Sequence, residues 1–160
     1  VPWLLDGNNL VRGGDREAVR RAALAVARHE RVRILIFFDG APPAGVGATE
    51  RLGRVETRYT GHADTAILAF LQRGGREWRV ATDDRELGGR ARAAGAEVVP
   101  AASFWHKAQT AAQASESQTG AVGDVVAELD YFADERHRLP ESSTRVARRS
   151  VRPRRRKALE

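Results

Sequence analysis

The sequence predicts an α/β fold with a mainly parallel sheet. Strand-like segments take turns with segments of helical periodicity along most of the chain, which is the pattern of βα units. The run "VRILIFFD" (32–39) is nearly all apolar, the mark of a strand covered on both faces. With 160 residues and an ordinary apolar fraction of 42%, the chain is long enough for one domain with a proper core.

The elements follow in order. Val1 to Leu5 reads as a short strand, and Gly7 to Gly14 as a loop. Asp15 can cap a helix through about Glu30, with Val19, Ala23, Val26 and Ala27 on one face. After strand two, "GAPPAGVGATERLG" (40–53) reads as a Gly- and Pro-rich loop. "RVETRYT" (54–60) alternates as a strand, and "HADTAILAFLQR" (62–73) puts Ala63, Ile67, Phe70 and Leu71 on one helical face. "WRVATD" (78–83) is strand four. "DRELGGRARAAG" (84–95) is a helix weakened by Gly88 and Gly89 and ended by Gly95. "AEVVP" (96–100) is strand five, and "ASFWHKAQ" (102–109) starts another helix. Connections between the parallel strands should be right-handed.

Beyond this point the composition shifts. "AAQASESQTG" (111–120) reads as low-complexity linker. Val122, Val125, Val126, Leu129, Phe132 and Ala133 then form an apolar stripe backed by Asp124, Glu128, Asp130, Asp134 and Glu135. That helix either docks on its own domain or offers a surface for a partner or a second copy. The expected organisation is a domain over 1–108, a linker and acidic helix over 109–140, and a basic, disordered tail over 141–160. Formal charges for the three are +4, −4 and +6. The tail holds "RVARRSVRPRRRK" (145–157), with Arg154, Arg155 and Arg156 at its densest point, and suits a polyanion.

The chain contains no cysteine, which removes disulfides and thiolate metal sites. No apolar run approaches the ~20 residues of a membrane span. No signal-peptide pattern stands out from Val1 onward, and the expectation is a cytoplasmic protein without a membrane partner. The four histidines, His29, His62, His106 and His137, show no metal-ligand spacing. Gly45 and Gly47 precede a strand, the wrong place for a dinucleotide fingerprint, and there is no P-loop or Gly-x-Ser-x-Gly elbow. Trp3, Trp78 and Trp105 are expected in or near the core.

What stands out is the placing of aspartates. Asp6 ends strand one in "WLLDGNN", Asp39 ends strand two in "FFDG", and Asp83 and Asp84 end strand four in "ATDD". Asp64 lies in the first turn of the helix after strand three. Each alone has a plain structural use: a turn at Asp6-Gly7 or Asp39-Gly40, dipole complementation at Asp64, an N-cap at Asp84. Together they fall at the carboxyl ends of strands, the edge where open parallel sheets bind ligands. Like charges gathered there raise one another's pKa unless compensated. Carboxylates without His or Cys suit Mg²⁺ or Mn²⁺ rather than zinc, and such sites serve phosphodiester cleavage.

The segments "LLDGNNL", "ILIFFDG", "HADTAI" and "VATDDREL" resemble the NYN domains, in particular the YacP-like branch, within the PIN-like nuclease superfamily. The resemblance covers about residues 1–108. It rests on Asp6, Gly7 and Asn9; on Asp39; on Ala63, Asp64 and Ile67; and on Thr82, Asp84 and Arg85. It implies a PIN-like three-layer fold whose five-stranded sheet has the order 3-2-1-4-5, and metal-dependent endoribonuclease activity. Asp6, Asp64 and Asp84 are by that carry-over the metal ligands, Asp39 supports the site, and Asn9 orients Asp6 or a water. Tyrosine is frequent in the family where this chain has Asn8, and Asp83 adds an acid that could also bind metal, with Glu86 a further outer candidate.

Arg12, Arg51, Arg54, Arg58 and Arg85 lie on loops or strand ends that could border the cleft and grip phosphates. The expected substrate is single-stranded RNA, since a side-chain cleft reaches an isolated strand more easily than an A-form helix. Some YacP-like proteins act on messenger RNA at the ribosome, so both enter as implied partners. Two alternatives stay open: a non-catalytic RNA-binding module of the same fold, and a structure-specific DNA nuclease.

Overall fold

Along β1 (Trp3–Asp6) and β2 (Ile34–Asp39) successive side chains feed two different cores. Trp3, Leu5, Ile34, Ile36 and Phe38 point to one side of the sheet, and Leu4, Leu35 and Phe37 to the other. Strands buried on both faces need a layer on each. The computed structural model supplies both, describing residues 1–11 and 14–136, with side chains through 118.

The first face is covered by α2 (Arg16–Glu30) and by the start of α5 (Ala101–Arg136). Asp15 caps α2 as its sequence position predicts, its side chain accepting from the Ala18 N–H at 3.1 Å. Val19, Ala23, Val26 and Ala27 are the buried stripe of α2, and Ala101, Phe104, Ala108 and Ala111 that of α5. The second face is covered by α3 (Ala63–Leu71) and α4 (Arg85–Ala93), through Ala63, Ile67, Leu71, Leu87 and Ala91. Gly88 and Gly89 do not break α4. Gly88 is buried, with room for a Cβ no nearer than 3.4 Å to Val98.

The sheet has six strands rather than five. Its order is β3 (Thr49–Leu52), β4 (Val55–Thr60), β2, β1, β5 (Arg79–Ala81), β6 (Glu97–Val99). The expected order 3-2-1-4-5 is corrected at one edge, where β3 takes the outer place antiparallel to β4. All other pairs are parallel. The segment 40–53 was expected as loop throughout. Its second half instead folds back through a two-residue turn at Gly53 and Arg54, with Gly53 at φ +58 where such hairpins need a positive angle.

Two further expectations change. The loop after β1 contains a single helical turn, α1 (Gly7–Leu10), capped by Asp6. The segment 111–120 is helix and not linker, because α5 runs through it without a Gly or Pro to stop it until Gly120. Two compact units divide the chain, Val1–Val122 and Gly123–Glu160. The expected boundary at 108 therefore falls inside the first unit, since the first turns of α5 are part of its core. In the second unit the helix continues to Arg136. The side-chain stripe expected over 122–133, and the basic tail with Arg154, Arg155 and Arg156, lie outside the described residues, as does Arg12. Among the described residues no helix is long and apolar enough to cross a membrane.

Candidate active site

β1 carries its apolar run straight into a carboxylate. Asp6 is 3% exposed and lies at the carboxyl end of the central strand. The chain can turn sharply there only because the next residue is glycine. A Cβ on Gly7 would stand 2.5 Å from the Phe37 carbonyl oxygen and from the Phe38 ring. That turn directs the Asn9 N–H back at Asp6 Oδ1, 3.4 Å away. Asp6 Oδ2 accepts from the Thr82 hydroxyl at 2.9 Å.

Burial pushes the Asp6 carboxyl up to about 6, against the pull of the Thr82 and Asn9 hydrogen bonds, and the charges of Asp64 and Asp84 push the same way. Asp64, in the first turn of α3, is also raised, by partial burial and then by Asp84, Asp39 and Glu86. Asp6, Asp39, Asp64, Asp84 and Glu86 thus share one electrostatic neighbourhood, as their places on the strand and helix ends predict.

Their hydrogen bonds differ in kind. Asp84 caps α4, with Oδ1 accepting from the N–H of Glu86 at 2.9 Å and of Leu87 at 3.1 Å. The capping role and a place in the acidic group are both fulfilled, since one oxygen serves the helix. Asp39 is fully engaged. Its Oδ1 accepts from the Ala63 N–H at 2.5 Å, and its Oδ2 from the Asn8 amide. Asn8 closes the ring by accepting from the Asp39 N–H at 3.2 Å. Arg16 donates to the Asp39 carbonyl at 2.5 Å while lying over the Phe38 ring. Asp64 accepts no hydrogen bond among the described residues and is exposed.

Several expectations are revised. Asn9 touches Asp6 through its backbone, not its side chain. Its Oδ1 instead accepts from the Asp83 N–H at 2.7 Å and pins the β5–α4 connection. Asp83 points to α5, its Oδ1 accepting from the Ala101 N–H at 3.0 Å, and its charge is not among those that raise Asp6 or Asp64. Arg85 opens α4, exposed beside Asp84. Arg58 is paired with Glu56 at 2.7 Å and lies over Phe37 and Phe70, on the body of β4 rather than at the acidic edge. Arg51 and Arg54 belong to the β3–β4 turn at the opposite, amino end of the strands. Asn8 and Arg16 were not anticipated as supports. The amide beside Asp6-Gly7 was the available signal for Asn8, and nothing in the sequence marked Arg16.

The donor set is all carboxylate, which fits a hard divalent cation such as Mg²⁺ or Mn²⁺. Asp64 and the second oxygen of Asp84 are unencumbered, while Asp6 is held in place by Thr82. Among the described residues no three acidic or histidine side chains converge closely enough to cage an ion by themselves. A cation that keeps much of its water needs no such cage.

The family model of the YacP-like NYN domain matches residues 5–137. Two solved structures are similar in fold. The crystal structure of Rae1 (YacP) from Bacillus subtilis has a TM-score of 0.65 at 19% identity, covering 84% of this chain and 89% of that one. The crystal structure of a single-residue mutant of the same protein has a TM-score of 0.60 at 19% identity, covering 81% and 88%. No curated protein matches the chain.

Proposed function

The chain belongs to the YacP-like NYN domain family, a PIN-like nuclease type of fold, and on that premise we propose that it is a metal-dependent endoribonuclease acting on single-stranded RNA. The observation that supports this best is the electrostatic cost of the acidic edge. A buried carboxylate raised to about 6, and a second one raised by partial burial and then by three neighbouring acids, are arranged against stability, and such arrangements cluster at functional sites.

Asp6, Asp64 and Asp84 would hold Mg²⁺ or Mn²⁺, with Asp39 positioning the start of α3. The bound ion supplies charge neutralisation at the scissile phosphate and a water of lowered pKa. Thr82 keeps Asp6 ionisable by donating to it, and Asn9 fixes the strand end that carries Asp84. Arg85 stands where it can meet a phosphate. RNA over DNA rests on the family resemblance, as do messenger RNA and the ribosome as partners. The rival reading, a non-catalytic RNA-binding module, draws on the absence of a closed metal cage among the described residues.

Purified protein incubated with labelled single-stranded RNA and DNA, with Mn²⁺ or with EDTA, separates these readings. RNA cleavage that needs the metal and is lost in Asp84→Asn is the expected result. RNA binding without cleavage at any metal concentration would favour the binding module. Cleavage of branched DNA alone would favour the DNA nuclease.

A further inference from the structure

The sheet has a second edge with a chemistry of its own. At the amino ends of β2 and β4, opposite the aspartates, lies a cavity of about 380 Å³ lined by Arg33, Arg51, Arg54 and Arg58 together with Phe70 and Trp78. Glu56 is the one acid in its lining, paired with Arg51 at 2.5 Å and with Arg58 at 2.7 Å. Arg33 and Arg54 have no carboxylate partner among the described residues and are exposed. The guanidinium of Arg33 lies 5.6 Å from the Trp78 ring centre, and that of Arg58 lies 5.6 Å from the ring centres of both Phe37 and Phe70. Trp78 and Phe37 are buried beneath these arginines and Phe70 is half-buried, so it is the guanidinium groups that face the cavity; arginine can stack on a base or pair with a phosphate, and Arg33 and Arg54 have no carboxylate to compete.

This cavity does not stand alone. Arg58 and Phe70 also line a second one, of about 330 Å³, which adds Arg73 and reaches Tyr59 and Thr60. Thr60 is the register partner of Asp39, and its hydroxyl accepts from the His62 N–H at 3.0 Å, immediately before the helix that carries Asp64. The two cavities therefore follow β4 from its amino end to the acidic edge, a run of roughly 17 Å for six residues of strand. The charge changes along it from arginine to aspartate.

We propose that this track binds single-stranded RNA and leads it across the α3 face of the sheet to the acidic edge, with Arg33 and Arg54 as phosphate contacts at its far end. The proposal rests on the endoribonuclease reading for its direction but not for its binding chemistry. An isolated strand fits it, because its bases are free to meet the arginines of the lining, whereas a duplex keeps its base faces stacked inside the helix.

The test uses the full chain and two charge-reversal variants. Arg33→Glu/Arg54→Glu alters the track. Arg21→Glu/Arg28→Glu makes the same charge change on α2, across the sheet. Binding of a fluorescent oligouridylate, long enough to span track and acidic edge, is followed by anisotropy in EDTA against salt. Losing two phosphate contacts flattens the log–log salt slope by about 1.4, and the track variant should bind on the order of ten-fold more weakly at moderate salt. The α2 variant should stay near wild type. Cleavage of a dinucleotide in Mn²⁺ should be the same in the wild type and the α2 variant. A track variant with wild-type affinity and slope, an equal loss in the α2 variant, or a wild-type chain that binds no RNA overturns the track. Wild-type binding that depends on Arg33 and Arg54, with no cleavage in Mn²⁺, keeps the track and overturns the nuclease reading instead.

Discussion

The Thr82 hydroxyl donates to Asp6 Oδ2 at 2.9 Å and accepts the Asp84 N–H at 3.1 Å, so one oxygen joins the ends of β1 and β5 to the start of α4. Thr82 is 4% exposed, so its hydroxyl pairs with protein groups inside the fold. Thr82→Val should therefore cost about 1–3 kcal/mol and raise the Asp6 pKa further, moving the acid limb of the pH–rate profile upward. Thr82→Ser should restore both. An unmoved pH profile in Thr82→Val would mean that the hydroxyl only packs.

Asp6 makes stability depend on pH in a direction opposite to that of a salt-bridged carboxylate. Its folded pKa is raised from 3.8 to about 6, so the folded state holds the proton more tightly. The stability this confers is fully present below about pH 4 and is lost as pH rises through 6, by roughly 3 kcal/mol at most. Asp6→Asn should escape the loss. Urea denaturation from pH 4 to 8 without divalent ions should show the variant gaining on wild type across that window and level above it.

Divalent cations should reverse the penalty. Mn²⁺ should raise the melting temperature of the wild type, by relieving repulsion among Asp6, Asp64 and Asp84. Asp6→Asn and Asp64→Asn should lose most of that response together with RNA cleavage. Asp39→Asn should keep part of both, because Asp39 already spends its oxygens on Ala63 and Asn8. Equal loss in all three variants would place Asp39 on the ion.

Gly7→Ala should be among the most damaging single-methyl changes in the chain. The added Cβ meets backbone oxygen and an aromatic ring at 2.5 Å, and neither can give way cheaply. A loss of roughly 2–4 kcal/mol in thermal or urea unfolding is expected.

Arg31 ends α2 at φ 56, a left-handed conformation that side chains resist. Arg31→Gly should stabilise the protein by about 0.5–1 kcal/mol in urea unfolding, whereas Arg31→Val should destabilise it.

Much of this was legible in the sequence. The near-continuous apolar run in "VRILIFFD" and the capping aspartate Asp15 are local signals, and both elements formed as those signals imply. The gathering of Asp6, Asp39, Asp64 and Asp84 followed from topology, because a parallel sheet sends all its strand ends one way. The β3–β4 hairpin was hidden by the Gly- and Pro-rich segment before it. "RVETRYT" announced β4 by its alternation, but "TERL" is too polar to announce the edge strand that pairs with it across Gly53-Arg54. The roles of Asn9 and Asp83 could not be read because each depends on a long-range backbone partner, 74 and 18 residues away. Arg51 was misplaced because the hairpin that carries it to the amino edge was not foreseen, whereas Arg54, at the start of the strand read over 54–60, already stood at that edge.

β1 precedes the other five strands in the chain and sits in the middle of the sheet, between β2 and β5. Asp6 gains its Thr82 partner only across 76 residues of chain. During synthesis, then, the amino-terminal strand must wait for β5 and α4 before its aspartate has neighbours, and closing contacts of that span is slow. A chain cut short before β5 and α4 carries no assembled acidic edge. Any activity of that edge begins late, with most of the first unit already made.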